Sequence, residues 1–115
     1  MIPEPPTVEE SLPVILPKPL TVDEKILAAF PDAPIMLRIA YCESGNGCIA
    51  PINPQAKNPN SSASGVFQIL KGTWIDYGCT GDVLDEDDNI ACARKIYDRS
   101  GFTPWNASRS SWGAQ

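Results

Sequence analysis

The sequence predicts a small, mainly α-helical domain with one long polar loop, little or no β structure and two stabilising disulfides. Helix start signals followed by apolar residues at helical spacing carry the helical part of this prediction. The stretch from Ile49 to Ser64 is rich in Pro, Asn and Ser and has no period, so it predicts the loop. Four cysteines in so short a chain predict the disulfides.

Two helices are predicted at the start of the domain. Thr21-Val22-Asp23-Glu24 is a capping-box pattern that opens a short helix through about Phe30. Asp32 is expected to cap the next helix, with Pro34 tolerated in its first turn. The apolar positions of this second helix cover most of its circumference, so it should be central and buried; they are 35, 36, 37, 39, 40 and 41.

The second half of the chain predicts further short elements and one long helix. Gly65–Leu70 is a short apolar run, and Gly72–Tyr77 fits one or two helical turns. A long helix should run from near Asp85, where several acids suit its positive end, to about Arg99. Its core-facing candidates lie at three- and four-residue spacing and are Ile90, Ala93, Ile96 and Tyr97.

Residues 1–19 differ in composition from the rest of the chain. They contain six of the twelve prolines and three acidic residues, which is typical of a disordered, proline-rich acidic linker. Residues 20–115 should form one domain. A body of that size buries a modest fraction of its surface and often needs covalent stabilisation.

The four cysteines, at positions 42, 48, 79 and 92, allow three pairings. The local pairing, Cys42 with Cys48 and Cys79 with Cys92, is favoured because each pair brackets a glycine-bearing turn segment. Zinc is the competing interpretation, but the chain has no histidine and lacks closely spaced cysteine pairs, so no metal or cofactor is expected. Disulfides indicate an oxidising, extracytoplasmic compartment.

The net charge of −5 and the absence of a basic cluster argue against nucleic acid and against an anionic membrane surface as partners. An acidic run from Asp82 to Asp88 has the same implication. The apolar stretch Val14–Leu16 is far shorter than the ~18 residues of a membrane span. A monomer is the simplest expectation.

Glu43 is the best candidate for a working acid. It closes the apolar run that begins at Pro34, and Ser44-Gly45 follows at once. A carboxylate in the last helical turn faces the negative end of the backbone dipole, so its ionised form is disfavoured. Burial would raise its pKa further and let it hold a proton near neutral pH. The alternative interpretation is a solvated residue at a helix end.

Several short motifs follow Glu43 in a recognisable order. They are Glu43-Ser44, Asn53-Pro54-Gln55-Ala56, Ala63–Ile69 (Ala-Ser-Gly-Val-Phe-Gln-Ile) and Gly72-Thr73-Trp74. Their order and spacing resemble lysozyme-like soluble lytic transglycosylase (SLT) domains, whose pattern is Glu-Ser, Asn-Pro-x-Ala-x-Ser, Gly-Ala-x-Gly-Leu-Met-Gln-Ile and Gly-Thr. Cys42–Gly45 and Gly101–Trp105 are also similar to resuscitation-promoting factors and phage-tail transglycosylases. The resemblance covers roughly residues 34–108.

The resemblance implies a lysozyme-like fold and a bacterial or phage enzyme that acts on peptidoglycan glycan strands. The bond cleaved would be the β-1,4 bond between N-acetylmuramic acid and N-acetylglucosamine, with Glu43 as general acid. The protein would be secreted, tethered to the cell envelope or carried on a phage particle. The substrate-binding residues implied are Ser44, Asn58, Phe67, Gln68, Trp74 and Tyr97.

The chain departs from the family pattern at three of these positions. Asn58 stands where the family has Ser, and Phe67 follows Val66 where the family has Leu-Met. An aromatic face at Phe67 would stack on a sugar ring, whereas core packing is the competing interpretation. Tyr97 lies one place beyond the family's tyrosine, a step of about 100° around a helix.

The number of carboxylates separates the possible reactions. Two-carboxylate glycosidases hold their acids ~5–5.5 Å apart when retaining and ~6.5–9.5 Å apart when inverting. The loop from Gly45 to Phe67 contains no Asp or Glu, and Asp76 and Asp82 are better explained as surface acids. One-carboxylate chemistry is favoured, so the expected enzyme is a lytic transglycosylase that forms 1,6-anhydromuramoyl ends. A muramidase and an inactive wall-binding module are the alternatives.

Overall fold

The structure, a computed structural model, describes residues 18–113. Its helices are α1 (Val22–Ala29), α2 (Met36–Ser44), α3 (Lys71–Asp76), α4 (Glu86–Ser100) and α5 (Arg109–Trp112), with a 3-10 helix at Thr103–Ser108. The described residues form no β strand, only isolated bridges from Ser64 to Lys57 and to Ile69. The prediction of a mainly helical fold with little or no β structure is therefore confirmed. The predicted linker, except for its last two positions, lies outside the described residues.

Both local disulfides form as the sequence predicted, Cys42 with Cys48 and Cys79 with Cys92. The second links α4 to the segment that follows α3. None of the helices between residues 18 and 113 has the length and apolar character that crossing a membrane requires.

Helices α1 and α4 begin where local sequence signals predicted. The Thr21 hydroxyl accepts a hydrogen bond from the Glu24 N–H (3.1 Å), and Glu24 accepts one from the Thr21 N–H (2.9 Å), which completes the capping box. Asp85 caps α4 by accepting a hydrogen bond from the Asp88 N–H at 3.0 Å. The Lys25 ammonium lies 2.7 Å from the Glu86 carboxylate and so ties α1 to the first turn of α4.

The prediction that Asp32 caps α2 was wrong. The helix begins after Ile35, with no side-chain cap. The Asp32 carboxylate instead accepts hydrogen bonds of 2.6 and 3.1 Å from the guanidinium of Arg94 on α4. Arg94 is also bonded to Asp98 on its own helix, at 2.7 Å. These charge-assisted hydrogen bonds hold the Asp32 carboxylate at Arg94, so it does not cap α2.

Helix α2 contacts α1, the 3-10 helix and α5. Met36, Ile39 and Ala40 are fully buried, whereas Leu37 and Tyr41 are partly buried. The helix therefore buries one broad face and keeps its last turn near the surface. Burial of such side chains is the main favourable contribution to folding.

A chain of aromatic rings runs through the core. Neighbouring ring centroids are 5.2–5.9 Å apart, in tilted or edge-on orientations that favour aromatic pairs. In order, the rings are those of Trp105, Phe67, Phe30, Tyr97, Phe102 and Trp112. The chain thus joins α4 and the loop after α2 to the C-terminal segment.

The buried Asn89 side chain attaches the long loop to α4. Its amide oxygen accepts a hydrogen bond from the Phe67 N–H (2.8 Å). Its amide nitrogen donates to the carbonyl oxygens of Val83 (2.9 Å) and Ser64 (3.2 Å). Gly65 has a φ of +85°, and a Cβ there would collide with the Asn89 amide and the Val83 carbonyl. Glycine at position 65 therefore permits the close approach of loop and helix.

We expect Asn89→Ala to lower the free energy of unfolding by about 3 kcal/mol, because it leaves buried backbone groups without partners. Urea denaturation measures this change. Asn106→Ala is the matched control, since Asn106 is exposed and its side chain makes no hydrogen bond within residues 18–113. A loss for Asn89→Ala no larger than that of the control would contradict the role of Asn89.

Candidate functional site

Glu43 lies in the last turn of α2, as the sequence predicted, and its carboxylate is partly buried. The helix ends at the next residue, and the chain turns away at Gly45. A Cβ at Gly45 would lie 2.5 Å from the carbonyl oxygens of both Ile49 and Tyr41, so only glycine fits without a shift of the backbone. This tight turn keeps the loop close to the end of α2 beside the carboxylate.

The Glu43 carboxylate is held from the other side by the C-terminal segment. The Ser108 hydroxyl lies 2.7 Å from Oε2 of Glu43 and 3.1 Å from the Trp105 carbonyl oxygen. The Trp112 indole N–H donates to the same hydroxyl at 3.0 Å. An indole N–H is only a donor, so Ser108 must accept there, and its own proton points to Glu43 or to Trp105. The shorter distance favours Glu43.

Burial raises the pKa of the Glu43 carboxyl, and the Ser108 hydrogen bond opposes that rise by stabilising the ionised form. Burial is the larger effect, so the pKa lies above its ordinary value of 4.5. Compared with an exposed glutamate, Glu43 therefore holds its proton to a higher pH, and the protonated form is the one a general acid needs.

An open cleft of about 570 Å³ lies in front of Glu43. The residues that line it are Glu43, Ser44, Gly45, Asn46, Pro51, Asn53, Ala56, Lys57, Asn58, Pro59 and Gln68. Glu43 is the only carboxylate among these described residues. Asp76 is exposed on α3, and Asp82 lines a different cavity, so neither supplies a second acid to this cleft.

Gln68 and Asn58 lie on the wall of the cleft. The Gln68 amide nitrogen donates to the carbonyl oxygens of Ala56 and Gly65, both at 3.0 Å. Within residues 18–113 its amide oxygen accepts no hydrogen bond, which leaves an acceptor for a ligand. Asn58 is exposed, and its side-chain oxygen caps the Asn60 N–H at 2.7 Å. Its amide N–H groups remain available as donors.

Phe67 lies in the core and not in the cleft. Its ring is fully buried and packs between those of Phe30 and Trp105, with centroids 5.9 and 5.8 Å away. A side chain with no exposed surface cannot stack on a sugar. Phe67 therefore belongs to the core beneath the cleft, and the expectation of a sugar-binding face is not met.

The other three predicted residues lie in three different environments. The Ser44 hydroxyl is buried and donates to the Val66 carbonyl oxygen at 2.6 Å, so it secures the loop although the residue borders the cleft. Trp74 lines the larger neighbouring cavity. Tyr97 packs against Phe102 in the aromatic chain and does not line the cleft, which corrects its expected place there.

The sequence alone did not reveal Ser108 and Trp112. Ser108 meets Glu43 across 65 positions of chain, and no local pattern encodes that contact. The i, i+4 spacing of Ser108 and Trp112 was the one available signal, and it predicts only that two side chains share a helical face.

Comparison with known proteins gave no relatives: no protein-family model, no curated protein and no solved structure matches the chain.

We expect Ser108→Ala to raise the pKa of Glu43 further, because the variant loses the hydrogen bond that stabilises the ionised carboxylate. Carbon-13 NMR of the glutamate carboxyl groups across a pH titration measures this without any substrate. Ser111→Ala is the control, since Ser111 is exposed on the neighbouring helix. A pKa that stays unchanged or falls in Ser108→Ala would contradict the assigned hydrogen bond.

We also expect Glu43→Gln to be more stable than the parent at neutral pH. A folded-state pKa above 4.5 means that the stability contributed by Glu43 is fully present below pH 4.5 and is lost as pH rises through the folded pKa. Glutamine does not ionise, so the variant escapes this loss.

Thermal unfolding at pH 3 and at pH 7 measures the difference, which should be absent at pH 3 and favour the variant at pH 7. Asp76→Asn, which removes an exposed carboxylate, should show no such pH-dependent gain. Equal stability of Glu43→Gln and the parent at pH 7 would contradict the burial of an ionisable group.

Proposed function

We propose that this protein is a peptidoglycan-cleaving lytic transglycosylase in which Glu43 acts as the single general acid and base. The observation that carries the proposal is a partly buried carboxyl with a raised pKa, alone in an open, largely polar cleft. The order of the Glu-Ser, Asn-Pro, Gly-Val-Phe-Gln and Gly-Thr-Trp motifs adds the carbohydrate context.

In the first step, protonated Glu43 donates its proton to the glycosidic oxygen between N-acetylmuramic acid and N-acetylglucosamine. The bond from C1 of the muramic acid to that oxygen breaks, and an oxocarbenium-like centre develops at C1. The N-acetylglucosamine part leaves with the proton on its new hydroxyl. The Ser108 hydrogen bond would stabilise the carboxylate that Glu43 becomes.

In the second step, the Glu43 carboxylate takes the proton of the 6-hydroxyl of the same muramic acid. The 6-oxygen bonds to C1 and gives a 1,6-anhydro end, and Glu43 regains the proton with which it started. Neither water nor a second acid is consumed, so the sequence of steps balances with one carboxyl group. The reaction needs only one carboxyl group, and Glu43 is the one carboxylate in the lining of the cleft.

The walls of the cleft provide neutral polar groups that suit a sugar. Asn46, Asn53, Asn58 and Gln68 bring side-chain amides to the lining. Amides donate and accept hydrogen bonds, so they match the hydroxyl and N-acetyl groups of an amino sugar. A cleft of about 570 Å³ also has a volume that is typical of small-ligand sites.

A hydrolytic muramidase is the nearest alternative. It would share the first step, and water instead of the 6-hydroxyl would then attack C1. An inverting hydrolase uses a second carboxylate as the base for that water. The lining of this cleft offers no such second group, which argues against a two-carboxylate hydrolase and leaves a muramidase in which the Glu43 carboxylate itself activates the water as the alternative.

An extracytoplasmic location is part of the proposal. Both disulfides form between described cysteines, and such bonds persist in oxidising compartments. A site of action at the cell wall agrees with that chemistry. A second class of function, a wall-binding module without turnover, would keep the cleft and lack the reaction.

We expect Glu43→Gln to lower the rate at which purified sacculi release soluble muropeptides by about 10²–10⁴-fold, the usual contribution of a general acid. Chromatography of the released material measures the rate. Asp76→Asn is the control and should retain the parent rate, since Asp76 is an exposed carboxylate outside the cleft. Release that persists in Glu43→Gln would contradict the role of Glu43, and no release by the parent would favour the binding module.

A further inference from the structure

A second cavity, of about 780 Å³, adjoins the Glu43 cleft. Lys57 and Asn58 line both, so these two residues lie at the border between the cavities. The larger one, here called the lysine groove, is otherwise lined by Ser61, Ser62, Ser64, Ile69, Lys71, Trp74, Gly81, Asp82, Val83 and Leu84. A ligand that reaches from one to the other would pass Lys57.

The lysine groove has two unpaired positive charges in a chain of net charge −5. Lys57 and Lys71 are exposed, and neither forms an ion pair with any residue in the described part of the chain. Lys25 and Arg94, in contrast, are each paired with two carboxylates. The two groove lysines are therefore free to meet an anionic group from outside.

The acid in the groove does not neutralise these lysines. Asp82 accepts a hydrogen bond from the Leu84 N–H at 2.8 Å and lies within ion-pair distance of neither lysine. This hydrogen bond holds the Asp82 carboxylate within the turn formed by residues 82–84. Lys57 and Lys71 thus keep their charge available to a ligand.

The remaining lining of the groove suits a peptide better than a bare ion. Trp74, Leu84 and Val83 offer partly exposed apolar surface, and the buried Ile69 also contributes to the lining. The Ser62 hydroxyl accepts a hydrogen bond from the Lys71 N–H at 2.9 Å, so its own proton is free to be donated. Ammonium groups, a hydroxyl donor and apolar surface together match short side chains that carry carboxylates.

We propose that the lysine groove binds the carboxylate-bearing peptide attached to the glycan strand. The inference rests on the proposed function, because the substrate proposed there carries a short peptide on the lactyl group of its N-acetylmuramic acid. A sugar held in the Glu43 cleft would direct that peptide past Lys57 into the adjoining groove. The protein would then distinguish peptide-bearing strands from strands without peptides.

The test compares cleavage of glycan strands that carry their peptides with strands stripped of peptides by an amidase. Stripped strands keep one carboxylate on each lactyl group. Peptide-bearing strands instead carry charge and apolar surface that extend further from the sugar. Lys71 is the informative position, since it lines the groove and not the Glu43 cleft. Lys95→Glu is the control, because Lys95 is exposed on α4 and outside both cavities.

On peptide-bearing strands we expect Lys71→Gln to lower kcat/KM about threefold and Lys71→Glu about tenfold, the size of lost and reversed exposed charge contacts. On stripped strands both variants should match the parent, and Lys95→Glu should match it on both substrates. High salt should reduce the advantage of peptide-bearing strands for the parent. Equal losses on both substrates, or no loss on either, would overturn the inference.

Failure of the proposed function gives a different result, because the parent would then cleave neither substrate. In that case a binding experiment tests the lysine groove. A soluble muramoyl peptide is added stepwise to the protein, and the indole N–H resonance of Trp74 is followed by NMR. Saturable shifts that weaken in Lys71→Glu and persist in Lys95→Glu would support the groove. Shifts that are absent from the parent, or equal in the two variants, would overturn it.

Discussion

The chemistry proposed for Glu43 depends on how two tryptophans hold the C-terminal segment on the core. Trp105 and Trp112 are 4% and 2% exposed, and the Trp105 indole donates to the Phe67 carbonyl oxygen at 3.1 Å. Burying such large rings is strongly favourable and fixes the segment between them. Ser108 lies in that segment and is thereby held against the Glu43 carboxyl. Without this anchoring, water would reach the carboxyl and its pKa would return towards the ordinary value.

The long loop supplies the other half of the site, and it needs several independent restraints because it has no regular structure. The Cys42–Cys48 disulfide and the tight turn at Gly45 hold its beginning at the end of α2. The Asn89 amide holds its far side against α4. Between these restraints the loop brings amides and Lys57 to the cleft but no carboxylate. The solitary position of Glu43 is therefore a property of both the loop sequence and its attachment.

The sequence predicted best what is encoded within a few neighbouring residues. The capping box at Thr21, the cap at Asp85 and the position of Glu43 in a last helical turn follow from local patterns, and the structure contains all three. Asp32 has a cap-like position as well, but a guanidinium 62 positions away engages its carboxylate. The residues next to Asp32 in the sequence do not indicate this long-range contact.

The same difference between local and long-range contacts applies to the residues of the candidate site. Its acid was predictable, whereas Ser108 was not, because folding alone brings the two together. The apolar run around Phe67 predicted burial or sugar contact equally well, since an aromatic residue serves either purpose. Only the packing of Phe67 between Phe30 and Trp105 decides for the core.

In the proposed reaction, one carboxyl group performs both proton transfers, and the substrate's own 6-hydroxyl is the attacking group. The mass of the muramoyl ends that the parent protein releases from purified sacculi distinguishes this reaction from hydrolysis. We expect 1,6-anhydro ends, one water lighter than the products of hydrolysis. Reducing muramic acid ends, heavier by that one water, would contradict this expectation and would assign the reaction to a muramidase.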